Sequence, residues 1–257
     1  MFKKIRILLL LCVLLFVALS AYTMDSDLRD WDKTKWVAIY PINGDGSQAA
    51  RDYIKNLDNS DFEKMERFLN REAERFGVST SQPFKITLAP ELSEKPPAPP
   101  QRGAWYENAW WSIETRLWAS KAAKDVDGPP ADIKIFTEFY DPKMYEVLPH
   151  SVGIRKLSLA VVKAFATRKM TQSNNIVMAH ELLHVFGATD KYDLNTNLPI
   201  YPMGYVKPDQ KPLFPQKKAE IMAGRIPKSK TKAQIPSQFK QVIIGEQTAT
   251  EIGWSKL

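Results

Sequence analysis

Two histidines, a glutamate, a glycine and an aspartate fall within one eleven-residue run, His180-Glu181-Leu182-Leu183-His184-Val185-Phe186-Gly187-Ala188-Thr189-Asp190. If that run is helical, His180 and His184 lie one turn apart and within about 40° of each other around the axis, so both imidazoles can reach a single metal ion. Glu181, about 100° from His180, can reach a water on that metal as a general base. Gly187 stands where such a helix should stop, because a residue without Cβ can enter the left-handed conformation and turn the chain sharply. That turn would return Asp190 toward the metal. Two imidazoles and one carboxylate leave a fourth position open, the arrangement a catalytic Zn2+ needs to lower the pKa of a water and to accept a substrate carbonyl. The chain has only 3 histidines, and two of them are in this motif.

The elements that must hold this motif are legible around it. Ser173, Asn174 and Asn175 can cap the helix, and Met178, Leu182 and Phe186 recur every fourth residue on the side away from the imidazoles, as a core-facing stripe should. Upstream, Lys35 to Ile42 is β-branched and aromatic, and the turn Asn43-Gly44-Asp45-Gly46-Ser47 opens into a helical pattern near Gln48. A phosphate-binding reading of that turn fails for lack of the lysine and the full glycine spacing. Ser60 with Glu63 reads as a capping box, followed by Phe62, Met65, Leu69 and Phe76 on one helical face ending near Gly77. Gln82 to Leu88 reads as a second strand, and Pro96 to Pro100 as a surface loop. Residues 104–124 resume helical spacing. Tyr106, Trp110, Ile113 and Leu117 share one face there, with Trp111 and Trp118 on an adjoining one, and such a stripe is expected in the core. Ile133, Ile135, Thr137 and Phe139 alternate, as do Leu157, Leu159 and Val161, so two more strands follow, with Ile154 to Val161 expected at the sheet edge. The class is α/β (α+β), a mixed sheet with an edge strand, an active-site helix and an irregular carboxy-terminal part. In that part only Gln216 to Ala223 reads helical. Gly224 to Ser237 is basic and proline-broken, which predicts a solvated loop, and Val242 to Leu257 returns to a packed piece.

Of 257 residues 44% are apolar and 25% charged, which excludes disorder and leaves room for a sizeable core. Lys3, Lys4 and Arg6 precede an uncharged apolar run from Ile7 to Tyr22, the profile of a signal peptide or amino-terminal membrane anchor over residues 1–24. An exported protein is expected, periplasmic, secreted or held at the outer face of the cytoplasmic membrane. Without that segment 33 basic face 29 acidic residues, too mild an excess for nucleic-acid binding. The single cysteine, Cys12, lies inside the apolar run, so the body at 25–257 holds no disulfide and depends on packing or metal.

His180-Glu181-x-x-His184-x-x-Gly187-x-x-Asp190, followed by Glu220-Ile221-Met222-Ala223-Gly224, resembles the metzincin clan of zinc metallopeptidases. The resemblance covers roughly residues 130 to 225. It implies an upper subdomain at about 35–187 and a lower one at about 188–257. Met222 would form a methionine turn, an apolar floor beneath the metal, with Met203 the weaker candidate. It implies a single catalytic Zn2+ on His180, His184 and Asp190, Glu181 as general base, and a peptide or protein substrate. Asp190 stands where the commoner pattern has a third histidine. Glu220 is the alternative third ligand, as in metallopeptidases whose glutamate comes from a later helix. An oxyanion donor is unassigned among Tyr192, Tyr201 and Tyr205. Asp190, Asp193, Asn195 and Asn197 could make turns or hold a Ca2+ ion, with turns favoured. His150 is a weak pocket candidate. The function expected is that of an exported, monomeric zinc metalloendopeptidase. Its rival is a non-catalytic, zinc-stabilised cell-envelope binding module whose Trp-rich helix or basic segment 224–232 meets a partner.

Overall fold

A five-stranded mixed sheet carries the molecule, and the helix that follows its inner strand Leu159–Phe165 carries the metal motif. The structure, a computed structural model, describes residues 6–7, 11, 15, 26–100, 104–122 and 129–255; the expected export segment 1–24 lies outside the described residues apart from Arg6, Ile7, Leu11 and Leu15. Among the described residues no helix is long and apolar enough to cross a membrane. Strand β1 (Lys35–Asn43) leads through α1 (Gln48–Lys55) and α2 (Glu63–Arg75) to β2 (Phe84–Leu88), then through α3 (Trp105–Ala122) to β3 (Ile133–Tyr140). The chain continues through β4 (Val152–Ile154) and β5 (Leu159–Phe165) into α4 (Thr171–Phe186). The sheet order is β2-β1-β3-β5-β4, parallel except for the antiparallel edge strand β4.

From β1 the path goes one way to β2 and then back past β1 to β3. Right-handed parallel crossovers therefore put α1 and α2 on one face and α3 on the other. Packing agrees. Ile39, Ile135, Val162 and Ala164 meet Met65, Phe68, Leu69 and the buried side of α4 in the larger core, while Tyr40, Phe136 and Val161 meet Ala119 in a smaller one. Parallel strands buried on both faces read as continuous apolar runs, which is why β1 shows little alternation.

Several local expectations are corrected. The capping box is made by Asp58 and Asp61 around a short 3₁₀ turn, Asn59–Asp61, and not by Ser60 and Glu63. The stripe of α3 expected in the core is exposed: Tyr106 is 59%, Trp110 68%, Ile113 52% and Leu117 57% accessible. Periodicity shows that one face of a helix is apolar and says nothing of what covers it. The sheet is met instead by Thr115, Ala119 and Trp118, whose ring lies 4.6 Å from that of Phe136. The edge strand is only Val152–Ile154, because Ser158 adopts a left-handed conformation (φ 50°) that separates Leu157 from β5; Leu159 to Val161 belong to an inner strand. Gln216 to Ala223 forms no α-helix. Ala219–Glu220 is strand β6, and Ile221–Ala223 is a 3₁₀ turn.

The carboxy-terminal part holds two small sheets. β6 pairs in parallel with β9 (Val242–Ile243), and β7 (Ile226–Pro227) pairs antiparallel with β8 (Ala233–Gln234), so the basic segment expected as a loop is a short hairpin. Helix α5 (Glu246–Glu251) and the buried residues Ile252 and Trp254 close the larger core, with Trp254 against Trp31 and Phe84.

Candidate metal centre

Helix α4 is anchored at both ends before any functional group is considered. Its start differs from the expected cap. The helix begins at Thr171, and Asn174 exchanges hydrogen bonds with the backbone of Phe165 at 3.2 and 2.9 Å, tying the first turn to the end of β5. Asn175 Nδ2 donates to the Asp61 carbonyl at 2.6 Å. At the other end Gly187 is left-handed (φ 104°), a conformation that strains any residue with a Cβ, and its amide closes on His184 O at 3.0 Å. Alongside, Gly153 of β4 passes so close that a Cβ there would run into the Glu181 carbonyl oxygen and the His184 side chain.

The turn at Gly187 delivers Asp190 to the two histidines. Asp190 Oδ1 lies 3.2 Å from Nε2 of His180 and 3.2 Å from Nε2 of His184, and the two Nε2 atoms are 3.1 Å apart. The other ring nitrogens are already engaged. His180 Nδ1 meets the Ile221 carbonyl at 2.9 Å and His184 Nδ1 meets the Ala188 carbonyl at 2.8 Å. A carbonyl only accepts, so each Nδ1 carries the hydrogen and each neutral ring turns a bare Nε2 lone pair inward. Three acceptors thus converge with no donor among them, and Asp190 Oδ1 is buried with no hydrogen-bond donor directed at it. Such a cluster repels itself unless a cation sits within it. A near-equilateral triangle of this edge is one face of a tetrahedron whose centre lies about 2.0 Å from each corner, the Zn–N and Zn–O bond length. The residues present therefore fit a divalent ion bound by two imidazoles and a carboxylate. His180, His184 and Asp190 are the only such group among the described residues.

The electrostatics register the same want of positive charge, which without an ion is answered by protons on the rings. Burial works to raise the Asp190 carboxyl, but the two imidazoles outweigh it and hold it well below the usual carboxylate range. Burial works to lower His180, and the Asp190 carboxylate, the Glu181 charge and the Ile221 carbonyl outweigh it and raise it. Glu181, 7% exposed, is pushed above its ordinary value by burial, against the pull of both imidazoles. It lines, with His180 and Tyr192, a cavity of about 210 Å³ between α4 and the β7–β8 hairpin.

Glu220 is placed otherwise than as a ligand. Its carboxylate accepts from Gly245 N at 3.1 Å, Thr248 Oγ1 at 2.8 Å and Ala223 N at 3.0 Å, so its oxygens are occupied in joining the 3₁₀ turn to α5. Met222 is fully buried in the same core as the apolar side of α4, within the turn whose Ile221 carbonyl holds His180; Met203 is 43% exposed. Of the three tyrosines, only Tyr192 lines the cavity, its ring 6.4 Å from His180. Asp193 Oδ1 accepts from Asn195 N, Thr196 N and Thr196 Oγ1, which is turn formation, and Asn197 holds a left-handed corner. His150 lies beside the buried Glu138–Lys163 ion pair in a separate cavity on the α3 side of the sheet.

What the sequence did not disclose is the brace behind Asp190. Lys191, 1% exposed, sends its ammonium to Thr189 O at 2.7 Å, Thr189 Oγ1 at 2.8 Å and Glu251 Oε2 at 2.7 Å. Glu251 also accepts from Thr189 N at 2.8 Å, and Lys191 N donates to Met222 O at 2.9 Å. The ligand loop is thereby clamped to α5, sixty residues away in sequence. Only Lys191, a charged residue beside the motif, could have hinted at it. Against protein-family models and curated proteins the chain shows no match.

Proposed function

We propose that the protein is an exported, zinc-dependent metallopeptidase that hydrolyses peptide bonds, with His180, His184 and Asp190 as metal ligands and Glu181 as general base. The observation that carries the reading is the convergence of three donor-free acceptors beside a buried carboxylate that opens on a cavity. The resemblance of the motif to the metzincin clan, the buried Met222 in the turn whose Ile221 carbonyl meets His180, and the strand-and-helix order support the same assignment. When bound, the ion supplies Lewis acidity, polarising a carbonyl and making water a competent nucleophile near neutral pH.

The chain's own residues do the rest. Glu181, its carboxyl raised by burial, accepts the proton of the attacking water and returns it to the leaving amine. Gly153 and Ile154 belong to an edge strand with one unpaired side, along which an extended peptide can add antiparallel, its backbone held by strand hydrogen bonds. The close approach of Gly153 to Glu181 fixes the distance between that edge and the general base.

The test is cleavage of a mixed peptide library by the zinc-loaded protein, with chelator and Glu181→Gln as controls. The expected result is chelator-sensitive cleavage that Glu181→Gln abolishes while zinc stoichiometry stays at one. Stoichiometric zinc without cleavage would return the protein to the class of zinc-stabilised binding modules.

A further inference from the structure

The cavity beside Glu181 has apolar walls, Ile176, Val177, Ile221, Ile235 and Pro236, and one cation, Arg225. Arg225 is half-buried, and among the described residues it has no hydrogen-bond or ion-pair partner. It is placed by secondary structure. It precedes β7 by one residue, Ile226 pairs with Gln234 across the hairpin, and Arg225 therefore sits opposite Ile235 at the cavity rim. A guanidinium brought out of water and left without an anion is costly, and a planar fork of donors matches a carboxylate in two-point geometry. Nothing in the hairpin itself supplies that carboxylate. Between Gly224 and Ser237 there is no Asp or Glu, while Lys228, Lys230 and Lys232 extend the positive field from the cavity mouth. The one acid on the cavity wall, Glu181, stands beside the metal centre.

We infer that Arg225 sets substrate choice: the cavity takes a substrate residue bearing a carboxylate, whose apolar stem packs on Ile176, Val177 and Ile221 while Arg225 pairs with the acid. Either an Asp or Glu side chain or the substrate's own carboxy terminus carries that chemistry. The inference rests on the peptidase reading for the position of the scissile bond, but not for the binding itself. The basic hairpin, one of the two segments offered to a partner in the rival reading, becomes the wall and antechamber of the same site.

The test measures binding separately from turnover. Zinc-loaded Glu181→Gln is titrated, by fluorescence anisotropy, with a labelled peptide set with amidated ends in which one position is Glu, Gln or Lys, and with a matched set ending in a free carboxylate. A charge-assisted pair predicts Glu over Gln by at least about tenfold, weakening with salt. Adding Arg225→Gln should erase the preference, Arg225→Lys should restore part of it, and Arg225→Glu should turn it toward Lys. Tighter, Arg225-dependent binding of the free-ended set than of the amidated set, whatever the varied residue, would identify the carboxy terminus as the group recognised. Equal binding of Glu and Gln peptides with no gain from a free carboxy terminus, or a preference that survives Arg225→Gln, overturns the inference. If the Arg225-dependent preference holds while the protein with Glu181 intact cleaves no peptide, the carboxylate site stands and the peptidase reading falls; cleavage without acidic preference does the reverse.

Discussion

Asp190, half-buried, and Glu220, buried, lie beside the same turn at Met222, yet their surroundings are opposite. Around Glu220 three donors converge, two amides and a hydroxyl, so the carboxylate is a structural rivet. Around Asp190 Oδ1 there are two imidazole nitrogens and no hydrogen, so the same chemical group is left wanting a cation. The titration directions differ too. Positive charge on the imidazoles holds Asp190 low, whereas burial, only partly offset by Gly245 and Thr248, keeps Glu220 high. A candidate metal ligand is thus marked by the absence of donors around it; residue type and nearness in sequence to a motif do not distinguish the two.

That contrast can be broken by exchange of roles. Asp190→Ala, His180→Ala or His184→Ala should weaken zinc binding by at least about a hundredfold, read by competition with a chromophoric chelator, while leaving the fold intact by circular dichroism. Glu220→Ala should do the converse. Three orphaned donors predict a loss of about 3 kcal/mol or more in denaturant unfolding, with one zinc still bound per folded molecule. A folded Glu220→Ala protein without zinc would reverse the assignment of the two carboxylates.

Smaller changes sharpen the comparison by disturbing only the delivery of Asp190. Gly187→Ala places a Cβ at φ 104° and against Arg155, so we expect about 1–2 kcal/mol of destabilisation and a zinc affinity lower by about tenfold. The smallest effect concerns Glu251. Burial works to raise its carboxyl, and the Lys191 ammonium and Thr189 donors outweigh it, lowering it from its ordinary 4.5. As pH falls the unfolded chain takes up that proton first, so the stabilisation is complete above the ordinary value and is lost as pH drops through the folded one. Glu251→Gln should therefore lower stability most above the ordinary carboxylate range, with a deficit that shrinks as pH falls, so that the acid side of the stability–pH curve measured by thermal unfolding is flattened. An unchanged acid limb would remove the Lys191–Glu251 brace from the account of Asp190.

Much of the site was legible because its information is local. His180, Glu181 and His184 are fixed relative to one another by helical pitch, and Gly187 announces its own turn. The buried strands and α1, with Ser47 accepting from Ala50 N, were equally readable. The aromatic face of α3 was misread because its periodicity is the same whether or not a partner layer exists. Glu220 looked helical because Gln216 to Ala223 lacks breakers, and its place in a two-residue strand depends on β9, more than twenty residues later. Arg225 and Glu251 gave no signal, since each acquires its meaning only from atoms distant in the chain.

The one-dimensional order of residues was enough to bring two imidazoles and a carboxylate to one candidate metal site, because 3.6 residues per turn and one glycine corner act over a few ångströms of chain. Which carboxylate completes the centre, which loop braces it and which cation faces its cavity were decided by tertiary packing. Those choices rest on whether a buried polar atom finds a partner, and partners are assigned by the folded chain as a whole.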